Sequence, residues 1–215
     1  MSIPLKNRLK RQSQVRLAEL QDEAVDLLYA VFPEAVLHGG TAIWRCFQGN
    51  RFSEDLDVYA LVGRDFKQEL ENELKKRGLV LTKFKQTENT VFAKIFNNQA
   101  EVSLEISLRK APPAVSTGFE KADGSSIEVL TLSPEDFLIE KAKAYLDRGL
   151  VRDLYDVFFL LDKTNQIEKA KKELQSLVQN FKEPKDEKNL QTLVFSGVAP
   201  SSKTMLEKIL RRIAA

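Results

Sequence analysis

The chain contains 215 residues, of which 43% are hydrophobic and 30% are charged, and its formal net charge is +2. This composition excludes a disordered chain, and the near-neutral charge excludes nucleic-acid binding driven by net charge alone. The single cysteine, Cys46, excludes an internal disulfide, and no apolar run reaches the roughly 18 residues that a membrane span needs. We therefore expect a cytoplasmic globular protein without a membrane segment, built as one large domain or two small ones.

The first part of the chain mixes helical and strand patterns. Apolar residues at helical spacing predict a helix over residues 5–31, and Pro33 ends it. The alternation of apolar and polar residues over 101–109 is typical of a strand with one buried face. The other elements predicted here are helices over 41–47 and 65–76 and strands over 35–38, 55–61, 79–85, 90–97 and 127–130.

The second part of the chain has only helical patterns. Ser133 is a typical N-cap, Pro134 fills the first turn, and two acidic residues that favour a helix N-terminus follow. Helices are predicted over 134–148, 151–162, 165–181 and 202–213, with a connecting loop over 182–201. The change of pattern predicts the α/β (α+β) class, with an α/β domain over 1–131 that includes the N-terminal helix and a helical bundle over 132–215.

A glycine pair and a pair of aspartates carry the clearest functional signal. Gly39-Gly40 leads into a short predicted helix, and such a turn can offer backbone N–H groups to a phosphate. Asp55 and Asp57 are alternate residues of a predicted strand, so their side chains point to the same side. Adjacent carboxylates suit a hard divalent cation such as Mg²⁺. Together these residues predict a site for a metal-bound nucleoside triphosphate.

The order of these motifs resembles the nucleotidyltransferase superfamily, in which a hydrophobic residue, a glycine pair, a spacer and Asp-x-Asp follow one another. The segment Arg51-x-Ser53-x-Asp55-Leu56-Asp57 is similar to the AbiEii/AbiGii toxin-like nucleotidyltransferases of phage-defence and toxin–antitoxin systems. That family carries a second, downstream block, and a similar block is present here as Lys141, Arg148, Arg152, Asp153 and Asp156. The two blocks span roughly residues 38–160.

The resemblance implies a mixed sheet with flanking helices and the transfer of a nucleoside monophosphate from an NTP to an acceptor hydroxyl, with release of pyrophosphate. It implies two Mg²⁺ ions, one of which arrives with the NTP, bound by Asp55, Asp57 and a third carboxylate on a neighbouring strand. Glu105 is our choice for this third ligand, and Glu101 is the alternative. These two residues lie about 13 Å apart along an extended strand, so they cannot bind the same ion.

The resemblance also implies which residues contact the nucleotide. Thr41 binds phosphate or only caps its helix, and Arg51 contacts phosphate or pairs with an acid. Lys141 is expected to contact the triphosphate as a compact charge and is counted among the catalytic residues. Asp153 is also counted among them, and it either takes part in catalysis or orients the nearby basic side chains. The full set expected to contact the nucleotide is Gly39, Gly40, Thr41, Arg51, Ser53, Lys141, Arg148 and Arg152. The helical domain is then expected to complete the active-site cleft.

For the acceptor, the resemblance implies RNA, with a tRNA 3′ end as the leading case, and a cognate antitoxin protein that neutralises the enzyme. Two alternatives stay open from the residues themselves. One is a small-molecule nucleotidyltransferase of the antibiotic-modifying type. The other is a catalytically idle module that binds nucleotide or RNA, although the intact Gly39-Gly40 and Asp55-x-Asp57 argue against it.

Overall fold

The computed structural model describes residues 3–164 and 166–214. These residues form two compact units, each described by itself below. Unit 1 runs up to Gln48 and from Phe52 to Thr131, and unit 2 contains Gly49–Arg51 and the chain from Leu132 onward. That residues 132–215 complete an active-site cleft stays a prediction.

Unit 1 is built on a seven-stranded sheet in the order β3-β4-β5-β2-β1-β7-β6. Strand β2 is antiparallel to β1 but parallel to β5, and β1 is parallel to β7, so the sheet is mixed as expected. The strands are β1 (Val36–His38), β2 (Leu56–Tyr59), β3 (Val80–Gln86), β4 (Thr90–Phe96), β5 (Glu101–Ser107), β6 (Ala114–Glu120) and β7 (Ser126–Leu132).

Helices pack against this sheet and bury its apolar residues. Helix α2 contacts β5, α3 contacts β2 and β6, and α4 contacts β3. The predicted alternation in β5 is confirmed, because Val102, Leu104 and Ile106 are buried while Glu101 and Glu105 are exposed. The described helices of this unit are α1 (Leu5–Arg8), α2 (Gln12–Val31), α3 (Gly39–Cys46) and α4 (Phe66–Lys76).

Two features of unit 1 differ from the sequence-based expectation. The helix predicted over 5–31 is interrupted, because Leu9 is extended between α1 and α2. Long-range contacts hold α1 apart from α2: the amide of Lys6 donates to the carbonyl of Ala122, and Arg8 pairs with Glu120 at 2.5 Å. Strand β6 was not predicted, because it is a largely exposed edge strand without an alternating apolar pattern.

Unit 2 is helical. Helix α5 packs on α6 and α7, and α9 packs on α6 and α7. The N-cap prediction is confirmed, because the Ser133 hydroxyl accepts a hydrogen bond from the amide of Asp136. The helices are α5 (Pro134–Arg148), α6 (Val151–Leu160), α7 (Lys171–Gln179), α8 (Leu190–Leu193) and α9 (Ser202–Ala214), with short 3-10 turns at Glu168–Ala170 and Glu187–Asn189.

The break between the first two helices of unit 2 lies where it was predicted, and the later connections contain short helical segments that were not predicted. Gly149 has φ +66° and ends α5, so Lys141 and Arg148 lie on α5 whereas Arg152 and Asp156 lie on α6. The loop predicted over 182–201 contains α8. The helix predicted over 165–181 is described only from a 3-10 turn onward, and its first residue lies outside the described residues.

A buried ion pair ties α3 to α2. The Arg45 side chain is completely buried and pairs with Asp22, and its Nε donates to the carbonyl of Glu120 at 2.6 Å. The guanidinium also lies over the rings of Trp44 and Phe119. Burial raises the pKa of Asp22 to about 6, although Arg45 opposes the shift. The pair therefore costs desolvation, but it leaves Arg45 with a counter-charge inside the unit.

Removing the acid of this pair should destabilise the protein strongly. We expect Asp22→Ala to lower the free energy of unfolding by about 3–5 kcal/mol, because the buried Arg45 charge loses its partner. Glu73→Ala is the matched control, since Glu73 pairs with the exposed Lys76 at the surface and should change stability by no more than about 1 kcal/mol. Urea unfolding of both variants measures the difference, and equal losses would contradict the prediction.

Candidate active site

The acidic part of the candidate site lies on two neighbouring strands of unit 1. Asp57 of β2 and Glu105 of β5 are direct partners in a parallel pairing. The flanking residues Leu56, Val58, Leu104 and Ile106 are buried, so the two carboxylates share the other face of the sheet. The structure thus brings together two of the three expected metal ligands.

Asp55 lies one residue before β2 and is exposed. The strand predicted to begin at this residue begins at Leu56 instead. Its carbonyl accepts a hydrogen bond from the Thr41 hydroxyl at 2.5 Å. The two preceding carbonyls, of Ser53 and Glu54, both accept from the side-chain amide of Gln21 at 3.0 Å. The backbone of Asp55 is therefore placed by side chains from α2 and α3.

The alternative acid, Glu101, is placed differently. It pairs with Lys94 at 2.5 Å and accepts a hydrogen bond from Thr82 at 2.8 Å, and these hydrogen bonds lower its pKa. Its cross-strand partner is Phe96 of β4, whereas the β5 residues that pair with β2 are residues 104–107. Glu101 therefore lies away from Asp57 and is already engaged with neighbours on β3 and β4.

The glycine pair lies directly against the acids. Gly39 begins α3 with φ +72°, a backbone conformation that favours glycine. A Cβ atom built on Gly39 would overlap the carboxylate of Asp57. A side chain at position 39 would thus displace Asp57, so glycine is required there. Gly40 and Thr41 follow in the first turn of α3, and both are buried.

Carboxylate oxygens at Asp55, Asp57 and Glu105 are of the type that Mg²⁺ prefers, so the residues fit the ion in chemistry. Within residues 3–164 and 166–214, no group of three or more His, Cys, Asp or Glu side chains is arranged closely enough to hold a metal ion. Two carboxylates, those of Asp57 and Glu105, are nevertheless direct cross-strand neighbours, and this pairing is the structural observation that favours a cation site.

Two basic residues of the motif blocks, Arg51 of the first and Lys141 of the second, lie in unit 2 and are buried beside an acid. Arg51 is 5% exposed, and its Nε and Nη2 donate to the two carboxylate oxygens of Asp156 at 2.9 and 2.8 Å. Burial would lower the pKa of Arg51, but the charge of Asp156 raises it. Of the two roles considered for Arg51, the structure shows the pairing with an acid.

Lys141 and Asp153 are also buried in this unit. The Lys141 ammonium lies 3.2 Å from a carboxylate oxygen of Glu140 and 4.0 Å from one of Asp156. Asp153 accepts a hydrogen bond from Arg148 at 2.7 Å, and its other carboxylate oxygen is buried without a hydrogen-bond partner among the described residues. Burial raises the pKa of Asp153, with Lys141 and Arg148 acting in the opposite direction. Arg152 is half-buried on α6.

Sequence reasoning missed one residue of the site. Gln21 is fully buried within the apolar stripe of α2, which also contains Leu20, Ala24 and Val25. A polar residue at a core position of an amphipathic helix is a detectable signal, because a buried amide needs hydrogen-bond partners. The partners themselves, 32 and 33 residues away, appear only in the folded chain.

Comparisons with known proteins bear on the family and the fold of this chain. The family model described as nucleotidyl transferase AbiEii toxin, type IV TA system, matches residues 26–212. The solved structure of JHP933 from Helicobacter pylori has a TM-score of 0.61 at 20% identity and is aligned over 95% of this chain and 92% of that chain. A second H. pylori structure, described as a candidate nucleotidyltransferase, has the same TM-score and identity and is aligned over 95% of each chain. No curated protein sequence matches this chain.

The structural similarity confirms the predicted fold class, and the family match covers both motif blocks. Within the described part of the chain, no helix is long and apolar enough to cross a membrane. The chain belongs to the AbiEii nucleotidyl transferase toxin family of type IV toxin–antitoxin systems, and it is a nucleotidyltransferase.

Proposed function

We propose that this protein is a Mg²⁺-dependent nucleotidyltransferase that transfers a nucleoside monophosphate from an NTP to the 3′ end of a tRNA. The observation that carries the metal and the reaction is the direct pairing of Asp57 with Glu105 beside the backbone of Gly39. The family match supports the toxin–antitoxin setting. The RNA acceptor rests on the resemblance described above.

In the proposed reaction, a hydroxyl oxygen of the acceptor attacks the α-phosphorus of the NTP. A new P–O bond forms, the bond between the α-phosphorus and the bridging oxygen breaks, and pyrophosphate leaves. The carboxylate of Glu105 accepts the proton of the attacking hydroxyl as a general base. Asp55 and Asp57 would hold Mg²⁺, which when bound would offset the negative charge of the phosphate oxygens.

We assign the binding of the NTP phosphates to the turn formed by Gly39 and Gly40. Gly39 and Gly40 present backbone at the start of α3, where no side chain separates it from Asp57. Backbone N–H groups and the positive end of the helix dipole favour an anion at such a position. Ser53 and Arg152 stay candidates for contacts with the nucleotide. The role of Lys141 toward the triphosphate stays a prediction from the family pattern.

An antitoxin is the expected protein partner, because members of type IV toxin–antitoxin systems act beside one. Transfer to a tRNA 3′ end would block aminoacylation and stop growth, which explains why such an enzyme would need neutralisation. The reaction is expected in the cytoplasm, where the NTP and the tRNA are found.

The acceptor is tested by incubating the purified protein with total tRNA, Mg²⁺ and each α-labelled NTP in turn. We expect label on RNA, and none with the Asp55→Ala/Asp57→Ala variant, because that variant lacks two cation ligands. Aminoglycosides in place of tRNA form the second arm of the experiment. Label on these small molecules and not on RNA would overturn the RNA proposal while leaving nucleotidyl transfer intact.

The choice of the third carboxylate makes a separate prediction. Asp57→Asn and Glu105→Gln should each reduce kcat by about 100-fold or more, because each removes a charge at the reacting centre but keeps the shape of the side chain. Glu101→Gln is the matched control on the same strand, and we expect it to retain activity because Glu101 pairs with Lys94. Loss of activity in the control with retention in Glu105→Gln would reverse the assignment.

The role of Lys141 is tested through substrate affinity. We expect Lys141→Ala to raise the KM for NTP by about 10-fold, because a charge that contacts the triphosphate stabilises the bound substrate as well as the transition state. Lys143→Ala is the control, since Lys143 lies on the same helix and is exposed. Because Lys141 is buried beside Asp156, thermal unfolding is measured in parallel. A larger effect on KM in Asp153→Ala than in Lys141→Ala would contradict the assignment.

A further inference from the structure

Asp55 lies outside the strands of the sheet, so strand pairing does not fix its position. The pairing of β2 with β5 begins at Leu56, so backbone hydrogen bonds of the ladder do not orient the preceding residue. Asp55 is nevertheless expected to bind a cation, and cation binding requires a carboxylate in a defined position. Whatever defines that position must therefore come from outside the sheet.

Thr41 supplies one such restraint. The residue is 1% exposed, and its hydroxyl donates to the carbonyl of Asp55 at 2.5 Å. A hydroxyl has one hydrogen to donate, so this bond leaves none for a phosphate oxygen. The hydroxyl does not cap α3 either, because His38 occupies the N-cap position. The contact instead joins Asp55 to the helix whose first residue, Gly39, lies against Asp57.

Gln21 supplies the second restraint, from α2. It is 0% exposed, and its amide nitrogen donates to the carbonyls of Ser53 and Glu54, both at 3.0 Å. Its amide oxygen is buried without a hydrogen-bond partner in the described part of the chain. A buried, unsatisfied oxygen costs stability, and an apolar residue of similar size would avoid that cost. Core packing therefore does not explain a glutamine at this position, but its two donated bonds do.

We propose that Gln21 and Thr41 are positioning residues, which together hold the carbonyls of residues 53–55 and so aim the Asp55 carboxylate at the cation. Neither side chain touches the substrate. The proposal rests on the proposed function in one respect, namely that Asp55 is a cation ligand. It assigns Thr41 to the backbone of the acidic motif and not to the phosphate.

The test uses substitutions that remove the donors but keep the volume. Thr41→Val lacks the hydroxyl, Thr41→Ser retains it, and Gln21→Met lacks the amide. Thr131→Val is the matched control, because the fully buried Thr131 hydroxyl donates to the carbonyl of Leu37 at 2.7 Å and does not contact residues 53–55. It removes the same kind of buried hydrogen bond from the same unit.

Three measurements are made on each full-length variant. Hydrogen–deuterium exchange without metal reports the order of the peptide that spans residues 52–58. Electron paramagnetic resonance with Mn²⁺ alone reports cation binding. The Mg²⁺ dependence of kcat reports the effect on the reaction.

We expect Thr41→Val and Gln21→Met to exchange faster in this peptide and to need about 10–100-fold more cation, as is typical when a residue that orients a metal ligand is lost. High Mg²⁺ should restore most of kcat. Thr41→Ser should behave as the wild type. Thr131→Val should keep the wild-type cation requirement.

Unchanged exchange over residues 52–58 in both variants would overturn the proposal. If the wild-type protein is active, a cation requirement of both variants equal to that of the wild type would overturn it as well. A wild-type protein that transfers no nucleotide to any acceptor would instead overturn the proposed function. In that case the exchange and Mn²⁺ measurements still decide whether Gln21 and Thr41 position Asp55, because neither requires turnover.

Discussion

The contact between the Asp57 carboxylate and the backbone of Gly39 is the constraint on which the rest of the site depends. Any side chain at position 39 would overlap the carboxylate, and the positive φ of Gly39 starts α3 at that point. A single residue therefore places an acidic strand and a helix N-terminus side by side. One close backbone approach thus brings the Asp57 carboxylate and the start of α3 together.

The register of the sheet supplies the second acid. Because side chains alternate along a strand, a shift of β5 by one residue relative to β2 would turn Glu105 into the core. The buried Leu104 and Ile106 prevent such a shift, since it would expose them. The hydrophobic core of unit 1 therefore determines which carboxylate stands beside Asp57.

The basic side chains buried in unit 2 follow a different principle, in which buried charges neutralise one another. Arg51 comes from the segment before the acidic motif, yet it belongs to the helical unit and is paired with Asp156 through both carboxylate oxygens. A guanidinium suits this bidentate geometry, which a lysine could not reproduce. Such a pair joins two distant parts of the chain, because the loss of either partner leaves an uncompensated buried charge.

The amino-acid sequence by itself determined the local features: the helix start at Ser133, the alternation in β5, the glycine pair and the aspartates, because each depends on neighbours within a few residues. The tertiary structure alone decided the order of the strands, the register that pairs Glu105 with Asp57, and the edge strand β6. It also revealed Gln21, whose donors reach carbonyls on another element. These features depend on contacts between residues far apart in the chain, which no local pattern encodes.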